Sequence, residues 1–347
     1  MSLTHKARSL EFPCGDPPAL GQVISVAEGI LWTRIPLPFR LDHVNVYLIE
    51  DGDRWAVIDA GINTPEAIEA WDDLFAGPLS GFSISRVVVT HHHPDHIGLA
   101  GYLCRRFDAE LLTSQTCYLS SKVISNSPND FGLRQHIDFY TRNGMSMEAA
   151  GVMEAQGCEY IEQVSRLPQS FLRLLHLDRL TIGNREFRVL SGDGHAAEQI
   201  MLYCREENLF FAADQVMEKI TPNVSVYAGE PNGDPLGHFL RTLRFLRENI
   251  SADALVLPGH GRIFRGLHQR CFEIEEHHEI KCQLIRQTCA AIPSTVADLV
   301  PSLFQRPLEP RQMTFAFTET LAHINRLVRR GELLPQYSDH ETRFSST

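Results

Sequence analysis

The chain has 347 residues, of which 43% are hydrophobic and 22% charged, with a net charge of −11. That composition supports a folded core and excludes wholesale disorder. The acidic balance disfavours a nucleic-acid partner, and no apolar run approaches membrane-spanning length. The eight cysteines are scattered, with no CxxC pair, which argues for reduced thiols over a disulfide framework or a zinc knuckle. The N-terminus, MSLTHKARSLEFPCGDPP, lacks the apolar core of a signal peptide, so the expected compartment is the cytoplasm.

In chain order, NVYLI (45–49) and WAVID (55–59) are β-rich runs around a polar DGD turn, the pattern of a hairpin. Residues 65–75 carry apolar positions at helical spacing and end at Gly77-Pro78. RVVVT (86–90) reads as a short apolar strand and 98–107 as a helix, an α/β order. Residues 115–175 break the alternation and read as a helical insertion, with SMEAAGVMEA (146–155) its clearest helix. Strands resume at EFRVL (186–190), IMLYC (200–204) and LFFAA (209–213). A helix over 235–247 and the strand ALVL (254–257) follow. Beyond residue 266 the chain reads as helices at 267–288, 294–303 and 315–330 with a short polar end, GELLPQYS. Two domains are expected, a catalytic one over 1–265 and a winged-helix-like one over 266–347.

THHHPDHIG (90–98) places four histidines and an aspartate in six consecutive positions, 91–96. His91 and His93, two apart at a strand end, project to one side. Two imidazoles on one face suit a zinc-sized ion, with bonds of roughly 2.0–2.1 Å. Asp95 and His96 follow at the turn imposed by Pro94, placed to serve the same ion or a second one. An all-His/Asp set favours an open catalytic site, whereas closed structural sites use cysteine. Three more strands end in the same chemistry: EFRVL runs to His195, LFFAA to Asp214 and ALVL to His260, with Asp59 closing WAVID. Strand ends are where open α/β folds place function, and glycines beside His195 and His260 permit sharp turns there.

HHHPDH (91–96), together with these four later and earlier motifs, resembles the HxHxDH signature set of the metallo-β-lactamase superfamily over residues 45–261. The resemblance implies an αβ/βα four-layer sandwich with the site along one sheet edge. It also implies that His91, His93 and His195 bind one divalent ion, that Asp95, His96 and His260 bind a second, and that Asp214 bridges both. Asp59 is similar to the family's aspartate that orients the ligand loop, and His92 falls on a variable position. HVNVYLIEDG, DPLGHFL and ETLAHINRLVRRGEL further resemble the β-lactamase-like protein 2 branch with its winged-helix-like tail.

The remaining histidines, His277, His278 and His323 among them, read as ordinary surface or core residues. Residues 222–235 form a candidate substrate loop, with Asn223 and Tyr227 as its polar members and His238 just beyond; the alternative is a plain surface loop. Tyr203 is either a proton donor or a strand residue. Phe131, Phe139, Tyr140, Met145, Tyr160 and Phe171 of the insertion either wall an apolar acyl pocket or simply pack it. Arg326, Arg329 and Arg330 cluster on one helix. However, residues 292–347 balance six arginines against six acidic residues, which favours a solvated face or a homodimer contact over nucleic-acid reading.

The expected activity is hydrolysis by a binuclear centre whose ions lower the pKa of a shared water towards about 7. Asp95 or Asp214 passes a proton to the leaving group. Zinc is the expected metal, with manganese or iron as alternatives. The expected substrate is a small organic thioester, ester or lactone, with RNA as the runner-up.

Overall fold

The computed structural model describes residues 9–126 and 134–347. Its seven-stranded sheet has the order β1 (Ile24–Ala27), β2 (Ile30–Pro36), β3 (His43–Asp51), β4 (Arg54–Ile58), β5 (Ile84–Val88), β6 (Glu110–Thr113) and β7 (Leu172–Arg173). The first four strands pair antiparallel, and β4 to β7 pair parallel. A second sheet runs β12 (Leu255–Pro258), β11 (Leu209–Ala213), β10 (Gln199–Cys204), β9 (Arg185–Gly192) and β8 (Arg179–Ile182).

Strand alternation explains how the sheets stack. On β10, Ile200, Leu202 and Cys204 enter the core between the sheets, together with Trp32, Phe187 and Phe211. Met201 and Tyr203 turn to the opposite face, against a different core. β3 splits the same way, with Tyr47 and Ile49 inward and Val44, Val46 and Leu48 outward. Both faces of these strands are therefore buried, which is why they read as continuous apolar runs.

The outer face of the first sheet is covered by α1 (Pro65–Ala76), α2 (Pro94–Ile97) and α3 (Ala100–Phe107), together with α4 (Gln115–Asn126) and α6 (Met147–Gln163) of the insertion. α1 starts where Thr64 accepts a hydrogen bond from the Ala67 amide and Pro65 occupies the first turn. It buries Ala67, Trp71 and Leu74. The outer face of the second sheet is covered by α7 (Pro235–Asn249), α8 (Leu267–Ala291), α9 (Val296–Leu303) and α10 (Pro310–Arg329), with α5 (Arg134–Arg142) packed alongside. The result is the expected helix–sheet–sheet–helix sandwich.

Some elements differ from the sequence expectation. β1, β2, β6 and β8 carry weak patterns and were not anticipated. The polar end GELLPQYS is the first arm of a hairpin, β13 (Leu333–Tyr337) with β14 (Thr342–Ser346), so three helices and a β-hairpin close the chain. The insertion is helical as expected, but it is not one packing unit: α4 and the C-terminal part of α6, with Tyr160, join the first helical layer, whereas Tyr140, Met145 and Ala150, from α5 to the start of α6, join the core of the second. Phe131 lies outside the described residues. Among the described residues seven cysteines are free thiols, six of them buried. No helix among the described residues is long and apolar enough to cross a membrane.

Candidate metal centre

The ends of β4, β5, β9, β11 and β12 deliver the motif residues to one edge of the sandwich. After β5 the chain runs through Thr90 into the histidine cluster, and α2 starts at Pro94. His91 and His93 face each other, Nε2 to Nδ1, at 3.0 Å, and His195 Nε2 lies 3.3 Å from His91 Nε2. On the other side, His260 Nε2 is 3.3 Å from Asp95 Oδ2, and His96 Nε2 is 3.6 Å from the same oxygen. Asp214 spans the two groups: Oδ2 is 3.4 Å from His195 and 3.5 Å from His260, and Oδ1 is 3.5 Å from His96. Three overlapping clusters result, His91/His93/His195, His91/His96/Asp214 and Asp95/His96/His260, each with its candidate ligand atoms within 4.8 Å of one another.

Four of these rings are fixed from behind. His195 Nδ1 donates to the Asn223 carbonyl at 2.8 Å, and His260 Nδ1 to the His43 carbonyl at 2.7 Å. His96 Nδ1 donates to Asp59 Oδ2 at 2.7 Å. Thr90 Oγ1 donates to the same carboxylate at 2.9 Å, which leaves its lone pairs to accept from His91 Nδ1 at 3.0 Å. A carbonyl or carboxylate oxygen can only accept, so each Nδ1 carries the proton and each Nε2 presents a lone pair inward when the ring is neutral. Asp59 itself adopts φ +61°, a conformation Asp tolerates better than most residues, and this aims its carboxylate at Thr90 and His96.

Electrostatics divide the cluster. Burial, then the neighbouring histidines, hold His91 and His93 well below the ordinary imidazole range, so both are neutral. Burial acts the same way on His96 and His260. There, however, Asp214 and Asp95 outweigh it, holding His96 well above its usual value and lifting His260 to about 10. Burial raises Asp95 and Asp214, but His96 and His260 reverse this and keep both carboxylates ionised.

The donor set fits divalent cations. His96 Nε2 and Asp214 Oδ1 are buried without a hydrogen-bond partner, although they lie only 3.5 Å apart. Gly259 keeps this space open: a Cβ there would lie 2.2 Å from Asp214 Oδ1 and 2.9 Å from His96 Cε1.

Residues that the motif reading passed over hold the loops. Asn45 Nδ2 donates to the Pro258 and Gly261 carbonyls, and Tyr47 Oη to Pro258, clamping both sides of His260. Part of the HVNVYLI stretch is thus a support for the metal loop, which its β-rich pattern alone did not disclose. Tyr160, read as either a pocket wall or packing of the insertion, packs: it donates to the His92 carbonyl at 2.6 Å and pairs with Ser121 Oγ, tying α6 and α4 to the ligand loop. His92 is not brought into the cluster; burial takes its pKa down to about 4.

The other expected site residues are scattered. Asn223 reaches the cluster through its backbone, while its side chain donates to Ser225 Oγ. Tyr227 is half exposed in the adjoining loop. Tyr203 is directed away: it belongs to the core of the second sheet's outer face, and its hydroxyl donates to Asn208 at the far end of β10. His238 lies in the first turn of α7, and its carbonyl accepts from Thr242. Tyr140 is buried and accepts from the Ala228 amide, and Phe139 lines a cavity of about 510 Å³ that it shares with the C-terminal hairpin residues Tyr337 and Phe344.

A sandwich that collects histidine and aspartate on one sheet edge in this order defines a metal-dependent hydrolase, and the chain belongs to the metallo-β-lactamase superfamily. The superfamily's sequence model matches residues 39–116, and that of the metallo-β-lactamase-like C-terminal domain matches residues 282–347. A β-lactamase domain protein from Burkholderia ambifaria, solved by crystallography, is 34% identical with a TM-score of 0.89, covering 97% of this chain and 98% of that one. The probable metallo-hydrolase YqjP of Bacillus subtilis is 25% identical over 325 residues, covering 92% of this chain and 98% of its own length. The atrochrysone carboxyl ACP thioesterase of Aspergillus terreus is 23% identical over 231 residues; the match takes in 66% of this chain and about half, 52%, of that enzyme. The β-lactamase-like protein 2 branch is matched only weakly, at 21% identity over 243 residues of a Caenorhabditis elegans homologue.

Proposed function

We propose that this hydrolase is binuclear and acts on small organic thioesters. The observation that carries the binuclear reading is Asp214, whose two oxygens face both histidine groups at 3.4–3.5 Å. In this reading His91, His93 and His195 would hold one ion and Asp95, His96 and His260 the other, with Asp214 placed to serve both. Zinc suits the donor set best, with manganese or iron as alternatives. Bound divalent ions supply Lewis acidity and lower the pKa of water towards about 7.

The chain's own groups do the rest. Thr90, Asp59, Asn223 and His43 hold four imidazoles in one tautomer, so the donor atoms need no reorganisation during turnover. Asp95 is the proton carrier: it is partly exposed, whereas Asp214 is nearly enclosed by the histidines. Once released from its ligand role, the Asp95 carboxylate takes the proton given up by the attacking water and delivers it to the leaving group. Asn223 and Tyr227, on the loop that carries the His195 acceptor, are the substrate-facing residues of this reading. Tyr203 and His238 have no part in it.

Support for a thioester comes from the fungal thioesterase, a relative of modest identity that acts on a carboxyl ACP by its name. The test is a screen of metal-quantified protein against acyl-CoA and acyl-ACP thioesters, lactones and single-stranded RNA. Preferential thioester turnover that falls on metal removal supports the reading. RNA cleavage with inert thioesters replaces it with a ribonuclease.

A further inference from the structure

A second histidine cluster lies away from the sheet edge. His278 on α8 and His323 on α10 are both fully buried, and their rings approach Nδ1 to Nε2 at 3.0 Å. Glu319, one turn before His323, brings a carboxylate oxygen into the same group, all within 4.8 Å. We propose that His278, Glu319 and His323 form a separate cation site that takes one zinc-type divalent ion and ties α8 to α10. The proposal does not rest on the catalytic reading.

The argument is by likeness of construction within one molecule. In the catalytic cluster, two ring nitrogens meet at 3.0 Å with a carboxylate nearby, and the outer nitrogens of other rings are pinned to carbonyl oxygens. His323 repeats this: its Nδ1 donates to the Glu319 carbonyl at 2.8 Å, so its Nε2 presents a lone pair towards His278. In the metal-free chain His278 Nδ1 donates to that lone pair at 3.0 Å, while its Nε2 is buried without a partner. Burial holds both rings below the usual imidazole range, His323 at about 3, and keeps them neutral and able to ligate.

Lys281 bears on the site from α8. Its Nζ holds Glu319 Oε1 at 2.6 Å, which orients the carboxylate and supplies, in the metal-free chain, the positive charge that an ion would replace. Two histidines and one carboxylate suit zinc in preference to calcium or magnesium, which take oxygen ligands. The site has a structural connection to the catalytic edge. The His278 ring packs on Phe239 at 5.7 Å between centroids, and Phe239 lies directly against Gly194, the residue before His195.

Crystals of the full chain grown with zinc and measured at the zinc absorption edge locate the ions directly. An anomalous peak between α8 and α10, roughly 2.0–2.1 Å from nitrogens of His278 and His323, is the expected result. Peaks confined to the cluster around Asp214 overturn the proposal. A peak at α8–α10 with none around Asp214 sinks the binuclear reading instead. In solution, the double variant His278→Gln/His323→Gln is expected to lose one equivalent of zinc per chain relative to the parent. Unchanged zinc content in the folded variant overturns the site, and the map on the parent protein decides the matter if the variant does not fold.

Discussion

Asp59 offers the sharpest test of how the metal centre is held. Its carboxylate is 2% exposed and accepts three hydrogen bonds, from the Thr90 amide at 2.8 Å, Thr90 Oγ1 at 2.9 Å and His96 Nδ1 at 2.7 Å. Asp59→Ala strands the amide and the imidazole N–H, each at a cost of about 1–3 kcal/mol, while the hydroxyl rotates to another acceptor. Alanine at φ +61° adds about 1–2 kcal/mol, because only glycine, asparagine and aspartate adopt that backbone readily. The expected loss is therefore ~3–8 kcal/mol, enough to unfold many domains of ordinary stability.

Asp59→Asn separates orientation from stability. Asparagine tolerates the same backbone, and its carbonyl still accepts from Thr90. Its amide, however, can satisfy His96 only if Nδ1 becomes the acceptor, which moves the ring proton to Nε2 and points it into the centre. Removing such an orienting partner typically weakens metal binding by about 10–100-fold. Chemical denaturation should show a far smaller loss for Asn than for Ala, and competition with a chelator should show weakened metal binding in the Asn variant. An Asn variant that binds metal as tightly as the parent would refute the role assigned to Asp59.

Asp95→Ala is expected to abolish thioester turnover while the circular dichroism spectrum and denaturation midpoint stay near parental, because the cores lie elsewhere; near-parental kcat removes Asp95 from the mechanism. Tyr160→Phe removes the hydroxyl between Ser121 and the His92 carbonyl and should cost about 0.5–1.5 kcal/mol by denaturation, with metal content retained. A drop in metal content there would show that the insertion shapes the ligand loop itself. Arg326, Arg329 and Arg330 are engaged by Asp234, the Asn232 carbonyl and the Glu279–Glu332 pair. The full chain should accordingly show no tight, steeply salt-dependent RNA affinity in filter binding.

The legible part of this protein in its sequence is the part with chemistry at fixed spacing. His91, His93, Asp95, His96, His195, Asp214 and His260 announced themselves as ligand-type side chains at strand ends, and the structure gathers all seven. Strands buried on both faces, such as LFFAA, were legible because a run this short, aromatic and bounded by a polar turn is too brief for a buried helix. The supports were not. The carbonyls of His43 and Asn223 are groups that every residue carries, and His43 and His260 pair across 217 positions; the Thr90 hydroxyl stands in the motif, but nothing in the sequence shows that it links Asp59 to His91. Tyr160 and Tyr140 read as pocket aromatics because composition shows the ring and hides the partner of the hydroxyl. His278 and His323 read as ordinary residues for a related reason: 45 positions separate them, and the Glu/His-rich run around His278 (EIEEHHE) has the look of a solvated helix face.

The same long-range pairings explain why the C-terminal helices accompany this sandwich. The loop after β11 carries the Asn223 carbonyl that fixes His195, and it has little regular structure of its own. α10 supplies what it lacks. Ser225 Oγ meets Thr318 Oγ1 at 2.8 Å, and the Val226 amide donates to the Thr318 carbonyl. Further along, Asn325 donates to the Pro231 and Gly233 carbonyls, Arg326 pairs with Asp234 at the cap of α7, and Tyr140 receives the Ala228 amide. The segment that orients one metal-facing ring is thus ordered by α10 and the insertion, with Arg270 of α8 holding the Met217 and Ile220 carbonyls at its start. An irregular loop keeps a fixed backbone only when its polar groups find partners. The tail is therefore a scaffold for the His195 side of the centre, and Arg326 and Arg329 are occupied in that task.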